Sequence, residues 1–285
     1  MTIFTLIPVF NRLAHTKRVI ECLRRQTLAR DLRIVIINDG STDGTAEYLK
    51  SQPDVTTIQG DGNLWWGGAI EAGLKSVLPQ AKDEDYILFL NNDTWFADDY
   101  LQCLVDTSRK FGGAAVGSAI REEDRDPPLV SIGARININR LAIWDVFSEL
   151  SEAERASPKE FYDVDALSGR GTLYPVSLFR RFGTMRPRLL PHYMADYEVA
   201  MRFKRNGVRL VVSTRGAVYS PPVYGNDTSN IPLRKRVFGK RSPENIFQRA
   251  AFYCLVGSPL QRLTAVLRLA YFDVSRMIAR RRAAH

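Results

Sequence analysis

Between Ile3 and Leu90, short apolar runs alternate with longer amphipathic stretches, and this alternation leaves the chain very few architectures. Ile3 to Val9, Leu32 to Ile37, Val55 to Gln59 and Tyr86 to Leu90 have strand length and are rich in β-branched, aliphatic or aromatic residues. Ala14 to Gln26 repeats its apolar residues at helical spacing and Thr45 to Ser51 starts a second helix. Asn63 to Leu78 opens on glycines and turns helical at Ala69. Such a sequence predicts an α/β fold, a mostly parallel, right-handed wound sheet with helices on both faces. Ligands of open α/β sheets collect beyond the carboxyl ends of the strands, so the polar residues at strand exits are where chemistry is expected.

Farther along, Ala114 to Ile120 and Val130 to Ile138 read as strands around a charged loop at Arg121 to Pro128. Asp145 to Phe161 is polar and acidic, a mobile surface excursion near an active-site mouth. Val164 to Tyr174 returns to an apolar and glycine pattern, Glu198 to Asn206 is helical, and Val208 to Val212 is a strand. Gly225 to Ile231 forms a polar connector to two helical stretches, Glu244 to Leu255 and Leu260 to Arg282. This divides the chain into a catalytic-type domain over 1–225, with halves at 1–95 and 96–225, and a basic helical region over 226–285.

Composition excludes several classes. Hydrophobic residues make up 45% and charged residues 25% of the 285, as in an ordinary folded protein. Cys22, Cys103 and Cys254 lack the spacing of a zinc site or a disulfide framework, and a reducing cytoplasm is the simplest setting. Thr2 to Val9 lacks a signal-peptide pattern, and no run of apolar residues is long enough to span a membrane. Net charge is +9, but from Arg234 onward twelve Lys and Arg face only Glu244 and Asp273, a local balance of +10. The preceding residues therefore sum to −1. A tail so charged points to a localised anionic surface rather than to general nucleic-acid binding.

Four strand exits carry motifs in order. Ile7-Pro8-Val9-Phe10-Asn11-Arg12 leads into a polar turn, and Ile36-Ile37-Asn38-Asp39-Gly40-Ser41-Thr42-Asp43-Gly44-Thr45 ends the second strand on a carboxylate. Asp39 can accept hydrogen bonds from a nucleoside, or it can cap a loop. Gly60-Asp61-Gly62-Asn63-Leu64-Trp65-Trp66-Gly67-Gly68-Ala69 places glycines where backbone N–H groups can approach an anion. Finally Asn91-Asn92-Asp93 ends the fourth strand on a hard-oxygen ligand suited to a divalent cation.

Together these elements resemble the family 2 glycosyltransferases of GT-A fold, with their Pro-x-x-Asn, Asn-Asp-Gly-Ser-x-Asp-Gly-Thr, Asn-Leu-x-x-Gly-x-Ala and Asn-x-Asp motifs. Leu167-Ser168-Gly169-Arg170-Gly171-Thr172-Leu173-Tyr174 looks like the family's small-residue strand below the acceptor site. Ala195-Asp196-Tyr197-Glu198-Val199-Ala200-Met201-Arg202 looks like its Glu-Asp-x-Asp-Leu-x-x-Arg segment. The resemblance covers residues 3 to 220 and implies an inverting, metal-dependent hexosyltransferase. Its donor would be a dTDP- or UDP-sugar and its acceptor a glycan or lipid-linked hydroxyl in lipopolysaccharide or related surface polysaccharide synthesis, with rhamnosyl transfer a common analogue.

The resemblance assigns roles residue by residue. Asp196 is the catalytic base, and Pro8, Phe10, Asn11, Arg12, Asp39, Asn63, Trp66, Gly67, Gly68 and Asn92 bind the nucleotide or donor. Gly169, Arg170, Trp65 and Glu198 face the acceptor, and Asp93 holds Mg2+ or Mn2+. The chain departs from the family at Ala195, where an acid is usual. It departs again at Val218-Tyr219-Ser220-Pro221-Pro222, where relatives carry a histidine; His192 is either a replacement ligand or a packed side chain. The paired indoles of Trp65 and Trp66 can form a sugar platform or pack into the core, and Arg170 can meet a phosphate, an acidic acceptor or a surface carboxylate.

In the second tail helix Leu263, Val266, Leu267, Ala270, Val274, Met277 and Ile278 fall at helical spacing. Arg262, Arg268, Arg276 and Arg280 occupy other positions. This amphipathic basic helix is expected to lie on an anionic membrane face, to pack on the catalytic domain or to join two copies. Two other classes compete: a nucleotidyltransferase, which would show a glycine-rich lysine signature early in the chain, and a non-catalytic basic module binding membrane or nucleic acid. The second leaves Asp39, Asp93 and Asp196 without a role.

Overall fold

A computed structural model of the protein describes residues 1–125, 128–221, 232–239, 242–269 and 271. Four parallel strands form the first half of one sheet: β1 (Ile3–Val9), β2 (Leu32–Asn38), β3 (Val55–Gln59) and β4 (Tyr86–Phe89), in the order β3-β2-β1-β4. Side chains alternate across the pleat, so Ile3, Ile7, Ile34, Ile36 and Leu88 join a core on one face. Phe4, Leu6, Val35, Ile37, Ile87 and Phe89 join a core on the other. The first core is closed by α1 (Leu13–Arg24), α2 (Thr45–Lys50) and, farther along the chain, α4 (Tyr100–Lys110), through residues such as Ile20, Leu49 and Leu104. The second is covered by α3 (Trp65–Val77), through Ile70 and Leu74.

Beyond β4 the sheet becomes mixed. It continues β4-β10-β5-β11-β9, with β5 (Ala115–Arg121), β9 (Phe161–Asp163), β10 (Thr172–Pro175) and β11 (Leu210–Tyr219). β10 is antiparallel to both β4 and β5, while β11 is parallel to β5. The expected 95/96 division therefore falls within one continuous sheet. β10 reverses direction, so its N-terminal end meets the edge where β1 and β4 end: Thr172 pairs with Phe89, and the Gly171 N–H donates to the Phe89 carbonyl. This brings Ser168 to Arg170 to the same cavity as Asn91, although they are far apart in sequence.

The expected strand from Val130 to Ile138 is two strands, β6 (Leu129–Ser131) on β5 and β7 (Ala134–Asn137), which forms a hairpin with β8 (Ala142–Asp145). Gly133, at φ +92°, makes the break. The polar stretch after Asp145 is built rather than irregular. The Asp145 carboxylate accepts from the Ser131 hydroxyl, Ile132 N–H and Phe147 N–H, and α5 (Glu152–Ala156) carries a reciprocal Ser151–Glu154 capping box. α6 (Val176–Phe182) and α7 (Ala195–Arg205) add Phe179, Val199 and Phe203 to the α3 side of the sheet. β11 runs seven residues past the expected Val212, because its polar middle is a register shift between Ser213 and Val218 rather than an end.

At the C-terminus, α8 (Leu233–Phe238) precedes α9 (Ile246–Val256), whose Phe252, Tyr253 and Val256 enter the core. Residues 259–269 are helical, with Ala265 and Leu269 buried. The expected connector at 225–231, and Ala270, Val274, Met277 and Ile278 of the expected apolar stripe, lie outside the described residues.

Candidate active site

Two cavities meet at the carboxyl edge of the sheet. One, of about 480 Å3, is lined by Pro8, Phe10, Arg12, Asp39, Trp65 and Asp93 among others, and the second, of about 840 Å3, by Glu122, Asp145, Gly169, Arg170, Asp196 and Tyr197 among others. Trp66, Asn91, His192 and Tyr193 line both, so these four side chains form the partition between the smaller cavity, where the sequence leads one to expect the donor, and the larger, where it leads one to expect the acceptor.

The partition is fixed from several directions. The Trp66 indole N–H donates to Asn91 Oδ1 at 3.0 Å, and its ring meets Phe89 edge-on at 6.0 Å. Its benzo edge lies directly over Gly169, where an added Cβ would sit 2.0 Å from Trp66 Cζ2. Only a residue without a side chain fits there. Trp66 is therefore a packed divider, while Trp65, expected on the acceptor side, lines the donor cavity alone and meets His192 edge-on at 6.0 Å. Trp65 carries φ +60°, Arg12 +71°, Asn11 +55° and Met194 +65°, so four of the five described non-glycine residues in the left-handed region surround the site. Such strain persists where the surrounding structure holds it.

On the donor side, Asp39 has a role the sequence left open. Its Oδ1 accepts from Gly62 N–H at 2.9 Å and Leu64 N–H at 3.2 Å, and its Oδ2 from Trp65 N–H at 3.0 Å. The carboxylate thus caps the start of α3 from a different strand, and its charge suits the positive end of that helix. The glycine N–H groups expected to cradle an anion are also taken. Gly67 donates to the Pro191 carbonyl at 2.8 Å and Gly68 to the Leu64 carbonyl at 3.1 Å. A Cβ on Gly67 would lie 2.7 Å from the Leu190 carbonyl oxygen, so this glycine is needed for the approach of the 190–191 backbone. Asn11 bridges loops, accepting from Thr42 N–H at 2.9 Å while its own N–H donates to Ser41. Asn63 is exposed in the Asp61 turn and lines neither cavity, whereas Asn92 lines the donor cavity and donates to Thr16 at 3.2 Å.

Asp93 is placed to take a cation. Its Oδ1 is buried with no hydrogen-bond partner among the described residues, the condition expected of an oxygen reserved for a ligand, while Oδ2 pairs with Arg12 Nη1 at 2.6 Å. Among the described residues, no group of three or more His, Cys, Asp and Glu could hold a metal ion, and His192 does not complete one. One carboxylate nevertheless suffices where substrate phosphates and water fill the remaining positions, as is usual for Mg2+.

On the acceptor side, Asp196 occupies the first turn of α7, half-buried in the cavity floor. Gly169 N–H donates to its Oδ2 at 2.8 Å and Tyr197 N–H to its Oδ1 at 2.9 Å. Burial raises its pKa above the ordinary carboxylate value, against the opposing pull of these N–H donors and of Arg170. Arg170 lines the same cavity and makes no hydrogen bond or ion pair among the described residues. Glu198, expected at the acceptor, points elsewhere. It is 2% exposed, paired with Arg202 at 3.0 Å and Arg186 at 3.4 Å, and Arg202 also donates to the Phe182 and Thr184 carbonyls. This cluster ties α7 to the end of α6. Asn91 and Tyr193 are site residues that sequence reasoning passed over, though each adjoins a residue it had singled out.

A mixed sheet with four parallel strands in its first half, a cavity over their carboxyl edge, an acidic strand exit and a second cavity holding a half-buried carboxylate are the features of a GT-A fold. The glycosyl transferase family 2 model matches residues 5–182, and the chain belongs to that family. Glycosyltransferase GlyA of Streptococcus pneumoniae serotype 4 is 28% identical over 106 residues, covering 36% of this chain and 14% of that protein. The chain thus spans only a small part of that relative's length. Among solved structures, GalNAc-T7 with UDP, GalNAc and Mn2+ aligns with a TM-score of 0.63 at 15% identity, over 78% of this chain and 44% of that one. The mannosyltransferase PcManGT from Pyrobaculum calidifontis, with GDP-Man and Mn2+, gives 0.57 at 16% identity, over 99% and 79%. These likenesses establish the shared fold.

Proposed function

We propose that the protein transfers a sugar, with inversion, from a nucleoside diphosphate donor to a hydroxyl of a glycan or lipid-linked acceptor in surface polysaccharide synthesis. The observation that carries this is Asp196, the carboxylate that Gly169 holds in the acceptor cavity across the Trp66 partition from Asp93. Asp196 takes the proton of the acceptor hydroxyl as that oxygen bonds to the anomeric carbon. The bond from that carbon to the diphosphate oxygen breaks, and the leaving nucleotide keeps the electron pair. Attack from the face opposite the leaving group inverts the anomeric centre. A raised pKa makes the carboxylate a stronger base.

Asp93 and its orphaned Oδ1 would hold a divalent cation, which supplies neutralisation of the charge developing on the diphosphate. Arg12 flanks Asp93 and adds a second positive charge on the donor side. Phe10, half exposed at the cavity wall, and Trp65 offer aromatic faces to the donor. Arg170, the uncommitted cation beside the base, orients an acceptor that carries an anionic group near the reacting hydroxyl. The two structural neighbours, one with UDP and Mn2+ and the other with GDP-Man and Mn2+, support this choice of donor class and metal.

Thermal stabilisation by UDP, dTDP and GDP, each with and without Mn2+, tests the proposal. Stabilisation by at least one nucleotide, strengthened by the metal, is expected. Indifference to all three refutes a nucleotide-sugar enzyme.

A further inference from the structure

Seven of the eleven exposed large apolar side chains among the described residues lie at or beyond Phe238. The helix over 259–269 explains most of them. Its inner face is docked: Ala265 and Leu269 are 0% and 1% exposed, and Gln261 donates to Asn139 at 2.7 Å. The Arg268 guanidinium donates to the carbonyls of Ile138 and Asn139. Its outer face carries Leu260, Leu263 and Leu267 at 72%, 78% and 74% exposure, spaced three and four residues apart along one stripe, with Val266 beside them at 55%. Of the expected stripe, Leu263, Val266 and Leu267 are turned outward, while Gln261, Ala265, Arg268 and Leu269 make the attachment.

We propose that this outward leucine stripe, with exposed Arg262 next to Leu263 and the basic segment that carries it, is a docking surface for an anionic lipid bilayer. Charge decides between the two covers an apolar stripe can have. An isologous dimer lays the same patch against itself, and here that patch belongs to a segment of net charge +10 from Arg234 onward. Two such segments repel; an anionic leaflet attracts each of them and receives the leucines. The attachment points add an orientation. The helix sits on the turn after β7, whose hairpin partner β8 contributes Ile143 to the acceptor-side cavity. Pro243, shortly before α9, lines the same cavity. A surface that holds the helix lies beside the acceptor mouth, where a lipid-linked acceptor has the shortest route. This orientation rests on the glycosyltransferase reading, whereas the binding itself does not.

Flotation of the full chain with vesicles provides the test. Binding is expected to vesicles of phosphatidylcholine with phosphatidylglycerol and not to phosphatidylcholine alone, and it should weaken as sodium chloride is raised. The double variant Leu263→Gln and Leu267→Gln changes only exposed positions, and it should lose about tenfold or more of the partition. Nucleotide stabilisation should be unchanged in the same variant, which separates failure of the docking surface from failure of the enzyme assignment. Equal binding to both vesicles, full binding by the double variant, or a dimer that the double variant dissociates with no vesicle binding by the parent would each overturn the proposal.

Discussion

Replacing Gly169 by alanine tests whether the two cavities share one divider. The new methyl would sit 2.0, 2.6 and 2.9 Å from Trp66 Cζ2, Cη2 and Cε2, so the indole has to retreat by roughly 1 Å or more to reach ordinary contact. Forcing a methyl into such a contact costs about 1–3 kcal/mol. The same retreat stretches the 3.0 Å bond from the indole to Asn91, and losing it costs about 0.5–1.5 kcal/mol more. The expected loss is therefore about 2–4 kcal/mol in urea unfolding. The peptide N–H that holds Asp196 survives the substitution, so any effect comes from the ring and not from a released base. Because Trp66 borders both cavities, the apparent KM should rise for donor and acceptor alike. In a Trp66→Phe background the smaller ring leaves room, and Gly169→Ala should then cost at least about 1 kcal/mol less. Additivity of the two substitutions to within about 0.5 kcal/mol would refute the contact.

Three further outcomes follow from the site. Asp196→Asn should abolish transfer, and in the parent the acid limb of kcat/KM should lie above the ordinary carboxylate range. The folded-state pKa of Asp196 is raised. Its contribution to stability is therefore complete below the ordinary carboxylate value and is lost as pH rises to the raised one, so Asp196→Asn should gain on the parent in urea titrations across that window. Arg202→Ala strands the buried Glu198 with Arg186 alone and should cost about 3–5 kcal/mol. The kcat of the folded fraction should not change; a specific loss of acceptor binding would restore Glu198 to the acceptor site. Arg12→Gln frees the second oxygen of Asp93, and Mn2+ without nucleotide should then stabilise the variant more than the parent; equal responses in calorimetry would remove Arg12 as a competitor for that carboxylate.

The strands of the first half were legible to within about one residue because their apolar runs are bounded by turn residues and pair in parallel with close neighbours. α3 was harder. It starts at Trp65 rather than Ala69, because a carboxylate from β2 caps it and a left-handed Trp65 begins it, and neither is a local signal. β11 appeared to stop at Val212 because the polar residues of its register shift read as a turn. The order of motifs was enough to place Asp39, Asp93 and Asp196 at one edge of the sheet. What each side chain does there depended on pairings across the chain. Asp39 spends its oxygens on the 62–65 backbone, Glu198 turns to Arg202, and Gly169 is small because of a tryptophan a hundred residues earlier. Sequence spacing cannot distinguish a carboxylate that faces a ligand from one that holds a loop.

The reversal of β10 also bears on how such a chain can diversify. Between the exit of β5 at Arg121 and the return at Thr172, the polypeptide builds β6 to β9 and α5, and it supplies Glu122, Asp145 and Arg170 to one wall of the larger cavity. Both anchor points stay in register with β4 and β11 whatever lies between them. Lengthening or rewriting that excursion would reshape the larger cavity and leave the pairing of β1 to β4 untouched. A single inserted segment thus carries one wall of the larger cavity, while the pairing of β1 with β2 and β4 is made without it.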